Sequence, residues 1–124
     1  MISINSEGDS RTKDLTLRSQ LESLKALVSE MYELTSWKSA VENLDRSHFQ
    51  TLELFQTQFV DRDSNELLNQ YYVEINKQLR LLGADINLMK TSRQAETLHK
   101  RLSQASDRLN LLFTYCDRIA EISE

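Results

Sequence analysis

The stretch Leu68-Asn69-Gln70-Tyr71-Tyr72-Val73-Glu74-Ile75-Asn76-Lys77-Gln78-Leu79-Arg80-Leu81-Leu82-Gly83-Ala84-Asp85-Ile86-Asn87-Leu88-Met89 decides the fold. Leu68, Tyr72, Ile75, Leu79, Leu82, Ile86 and Met89 recur alternately three and four residues apart, which places them on one face of a helix. A second stripe of equal regularity follows in Ala95, Leu98, Leu102, Ala105, Leu109, Leu112, Cys116 and Ile119. Two more precede it. Leu17, Leu21, Leu24, Val28 and Met31 form one; Trp37, Val41, Leu44, His48, Leu52, Phe55 and Phe59 form the other.

The breaks between stripes are shifts of phase. Carrying the first stripe forward meets Thr35, Lys38, Glu42 and Asp45, whereas the apolar residues move to Trp37, Val41 and Leu44. A break near Thr35-Ser36 accounts for that shift. Capping chemistry supports the other boundaries. Ser39 and Glu42 have capping-box spacing for the second helix. Asp63 with Glu66 caps the third, and Thr91 or Ser92, with Gln94, caps the fourth. The expectation is an all-α chain, an antiparallel up-down-up-down four-helix bundle with helices near 11–34, 39–60, 64–90 and 92–122. Residues 1–10 read as a disordered tail and 11–124 as a single domain. Short connections favour antiparallel neighbours, and a bundle buries all four stripes in one core.

Composition agrees. The 124 residues contain no Pro and only two Gly, too few turn formers for a strand-rich domain. Net charge is −4, which argues against a nucleic-acid partner, because phosphate contacts call for a basic excess. The single cysteine, Cys116, cannot form an internal disulfide and suits a reducing compartment. No apolar run reaches membrane-span length, so membrane insertion is not expected. The first nine residues lack a charged n-region and an apolar core, so no signal peptide is expected.

Catalytic and metal chemistry find little footing. Glu96-Thr97-Leu98-His99 has the Glu-x-x-His spacing of di-metal bundles, and Asp45 with His48 comes near it. At about 100° per residue, however, Glu96 falls roughly 140° from its stripe and points to solvent. His48 lies on its stripe, where a buried, hydrogen-bonded imidazole is the commoner outcome. A histidine phosphotransfer bundle using His48 or His99 is the alternative functional class. Neither histidine has the Lys and Gly at the offsets that motif needs. No nucleophile, base and orienting acid come together, so no enzyme activity, metal or cofactor is expected. Cys116, on its stripe, reads as a small buried hydrophobe. Gly83, inside the most regular stripe, reads as a point of close helix approach or of a slight bend, with tight packing favoured over a functional hinge.

Charge is unevenly spread. Residues 77–108 hold seven basic and three acidic side chains, a local net of +4, whereas residues 1–62 hold seven basic and ten acidic. A positive strip on the hairpin of the third and fourth helices would suit an acidic protein partner. Lys77, Arg80, Arg93, Lys100 and Arg101 are the candidate partner-binding residues. Tyr71 and Leu81, beside the third stripe, are either extra core or a surface that leaves a homodimer open.

Glu74-Ile75-Asn76-Lys77-Gln78-Leu79-Arg80-Leu81-Leu82-Gly83-Ala84-Asp85, Ser92-Arg93-Gln94-Ala95, Asp107-Arg108-Leu109 and Tyr115-Cys116-Asp117, at these spacings, resemble the cyanobacterial heterocyst-frequency-control family PatD. The similarity covers residues 70–120; residues 10–60 match in general character, including Phe55-Gln56-Thr57-Gln58-Phe59. The resemblance implies a cytoplasmic, non-enzymatic developmental regulator that binds the cell-division protein FtsZ and modulates its polymer assembly.

Overall fold

The computed structural model describes the backbone of residues 6–59 and 65–123, with side chains described for 16–59 and 65–122. Among the described residues the chain is all-helical, with no strand. It comprises α1 (Ser6–Met31), α2 (Lys38–Gln58), α3 (Glu66–Lys90) and α4 (Ala95–Ser123). α1 packs on α2 and α4, and α3 packs on the same two, so the helices form a closed ring of neighbours around one core.

The four apolar stripes meet in that core. Every stripe residue of α1 is buried, as are all of those of α4 from Leu98 to Ile119. Burying one such Leu or Ile contributes about 1.5–3 kcal/mol, so the stripes supply the main driving force. Ala95, the first residue of α4, is exposed and lies outside the core. Trp37, Leu52, Phe59, Tyr71 and Tyr72 are half-buried and pack against it from the side.

Polar contacts latch the seams. Arg18 pairs with Asp117, and Lys25 Nζ donates to Asn110 Oδ1 at 2.8 Å. Both cations flank the Phe113 ring, at 5.6 and 5.5 Å from its centroid, so α1 and α4 are joined by charge over an aromatic face. Lys90 Nζ meets Asp45 Oδ2 at 2.9 Å across the α2–α3 seam, and the Phe59 and Tyr72 rings touch at the other end of that seam.

Helix boundaries differ from the expectation in ways that have local causes. α1 begins at Ser6, within the expected tail; residues 1–5 lie outside the described residues. It ends at Met31 rather than near 34, because the Glu33 and Leu34 amides bond to Glu30 and Met31 carbonyls in tightened turns. α2 starts at Lys38 with Trp37 as its N-cap and no side-chain cap bond. Ser39 is therefore already helical and cannot form the expected capping box. Asn65 caps α3, its side chain accepting from the amides of Leu67 and Leu68 at 2.9 and 3.2 Å. The expected cap, Asp63, lies outside the described residues. Thr91 and Ser92 do not cap α4. Both hydroxyls donate back to the Leu88 carbonyl, at 3.1 and 3.0 Å, and so close the end of α3 instead.

Candidate partner-binding surface

Two buried polar clusters fix how α3 sits against its neighbours. On the α2 side, His48 is buried and its Nε2 lies 2.6 Å from the Leu79 carbonyl oxygen. The imidazole is seated over Gly83, which is why that position carries no side chain. On the α4 side, Arg108 Nε donates to Asp85 Oδ2 at 2.5 Å, and its Nη1 reaches Gln78 Oε1 at 3.5 Å. Asp85 and Gln78 are both buried. Tyr71 and Tyr115 stack at a tilt lower on the same seam, with centroids 5.9 Å apart. Burial of its hydroxyl, then the Glu74 carboxylate and Tyr71, raise the Tyr115 pKa above its ordinary 10.0.

Among the described residues, two of the seven basic residues in the charged stretch are held in ion pairs, Arg108 with Asp85 within the buried cluster and Lys90 with Asp45 on the more exposed α2–α3 seam. The five candidate residues are placed differently. Lys77, Arg80, Arg93 and Lys100 are exposed, and none has an ion-pair partner among the described residues. Arg101 is half-buried and donates to Gln104 Oε1 at 3.2 Å.

The five do not form one compact cluster. Arg108 of α4 lies level with Gln78 and Asp85 of α3. Arg101, seven residues earlier, therefore sits about 10 Å nearer the α3–α4 connection. Lys77 and Arg80 occupy the middle of α3, on the order of 15 Å along the bundle from Arg93, Lys100 and Arg101. Arg80 also leans away from α4, toward the flank of α3 that carries Gly83 and meets α2.

The sequence stripes gave no sign of a third feature, because it depends on the gap between helices. An open groove of about 900 Å³ runs between the first half of α2 and the C-terminal end of α3. Trp37, Val41 and Met89 form its apolar floor, Phe49 stands 63% exposed at its side, and Lys38 and Arg46 project from α2. Ser92, the neighbour of Arg93, also lines it. One hint was present in the sequence: Phe49 lies off the α2 stripe, where a large aromatic has no core to enter.

Among the described residues, no helix is long and apolar enough to cross a membrane. Comparison with known proteins gives one finding: the CRR41 C-terminal domain matches residues 13–111, from within α1 to within α4. No curated protein and no solved structure matches the chain. With most of its length matched, this four-helix chain belongs to the CRR41 C-terminal domain family.

Proposed function

We propose that this chain is a non-enzymatic regulator that acts by binding a protein partner. The partner is FtsZ, whose polymer assembly it modulates in the cyanobacterial cytoplasm to set heterocyst frequency. The resemblance of residues 70–120 to PatD supplies the partner's name. The observation that carries the reading is the set of exposed cations without ion-pair partners among the described residues, Lys77 and Arg80 on α3, Arg93 in the α3–α4 connection and Lys100 on α4, within the stretch that bears the resemblance. Uncompensated surface charge steers association toward an acidic partner.

The body that presents these residues is an antiparallel up-down-up-down bundle. Four cross-helix pairs support that topology: Arg18 with Asp117 and Tyr32 with His99, then Tyr71 with Tyr115 and Asp85 with Arg108. In each set, residue numbers rise along one helix as they fall along the other. The reading involves no nucleic acid, cofactor or metal.

The phosphotransfer alternative draws less support. His48 is buried, with Nε2 committed to a backbone carbonyl, and His99 packs half-buried against the Tyr32 ring at 5.3 Å. The test is charge reversal at Arg80 and Arg93 together, read by co-sedimentation with FtsZ polymers. Weakened pelleting of a folded double variant is the expected result. Unchanged pelleting would remove these residues from the interface.

A further inference from the structure

We propose that the groove between α2 and the C-terminal end of α3 docks a peptide segment of a partner protein that carries apolar anchors flanked by acidic residues. This rests on the protein-binding reading above, but not on the identity of the partner.

Shape and lining favour a peptide. From Trp37 to Phe49 the groove spans twelve residues of rise, about 18 Å, enough for roughly three turns of a bound helix. Its floor is Trp37, Val41 and Met89. Aromatic residues and Met are enriched at the centres of protein interfaces. Phe49, 63% exposed, gains from being covered. The buried polar group in the groove wall, His48 Nε2, is already engaged with Leu79 and offers no convergent polar site for a small ligand.

Charge selects the partner's sign. Asp45 is neutralised by Lys90. Lys38 has no ion-pair partner among the described residues, and Arg46 donates to the neutral Asn43 side chain at 3.3 Å. Arg93 is exposed and follows the lining residue Ser92 in the chain, without lining the groove itself. Glu42 is the one lining carboxylate without a cationic partner among the described residues. The rim is thus cationic on a chain of net charge −4. A two-fold contact with a second copy would set this cationic patch against itself, which disfavours that occupant.

Trp37 is the sole tryptophan and lies in the groove, so its emission reports occupancy directly. The probe is a pair of synthetic peptide arrays of about 12 residues, matched to the groove length. One series places Leu, Ile, Phe or Met anchors at helical spacing among Asp and Glu; the other carries Lys and Arg in place of the acids. Full-length protein is applied, and hits are titrated by Trp37 emission.

Hits concentrated in the acidic series are expected, with a loss of at least about tenfold in affinity, or 1.4 kcal/mol, in Arg46→Glu and in Phe49→Ser. Both sites are exposed, so both variants should keep their circular dichroism. Equal or absent binding in the two series would overturn the proposal. A change in Trp37 emission with protein concentration alone would also overturn it, in favour of a second copy. The same variants in FtsZ co-sedimentation separate the two claims. Pelleting that survives Arg46→Glu and Phe49→Ser removes the groove but keeps the partner. Acidic-peptide binding without pelleting removes FtsZ but keeps the groove.

Discussion

A methyl group placed on Gly83 would sit 2.8 Å from Cε1 of His48. The imidazole cannot easily give way, since it is buried and its Nε2 is held 2.6 Å from the Leu79 carbonyl. The two residues are one packing unit, joining α2 to α3.

Gly83→Ala tests that unit. In an unconstrained helix interior the change would stabilise by about 1 kcal/mol. Here overpacking should reverse the sign and cost about 1–2 kcal/mol. Urea denaturation measures it. In a His48→Ala background the same change should become neutral or stabilising, because the clash is gone. A stabilising Gly83→Ala in the parent chain would show that the imidazole relocates freely.

The Asp85–Arg108 pair predicts an asymmetric mutational response. Asp85 is 5% exposed at its side chain and Arg108 28%. Asp85→Ala leaves a half-buried guanidinium without its carboxylate and should destabilise by about 2–3 kcal/mol, below the range for a fully buried pair because Arg108 reaches solvent. Replacing both residues with Leu should recover most of that loss. Equal loss in the single and double variants would mean that the pair is net stabilising beyond what its desolvation cost allows.

Asn65 is the cap of α3, accepting from two amides that otherwise lack helical partners. Asn65→Ala should cost about 1 kcal/mol, and Asn65→Asp should cost nearly nothing. Thermal unfolding followed by circular dichroism distinguishes the two.

The core was legible because burial repeats with the helical period. Leu17 through Met31 and Leu98 through Ile119 are buried where the spacing puts them. The close approach at Gly83 was legible for a related reason: a costly residue inside a regular stripe needs a cause, and His48 is that cause. The cap of α3 was not, because Asp63, Ser64 and Asn65 are all competent caps in a row, and spacing to Glu66 alone favours the wrong one. Gln78 and Asp85 were missed because a search for apolar periodicity passes over polar residues on the stripe's flank. Their partner Arg108 becomes visible only once the offset between α3 and α4 is known. The basic stretch was legible as composition, but its division into two groups, and the groove beside one of them, depend on how neighbouring helices are aligned.

Sedimentation of cyanobacterial FtsZ polymers with GTP, with and without this protein, tests the central claim most directly. The account predicts that the protein pellets with the polymer or changes the pelleted amount, and that charge reversal at Arg80 and Arg93 weakens the effect while the fold persists. A protein that stays in the supernatant and leaves FtsZ sedimentation unaltered would contradict FtsZ as the partner.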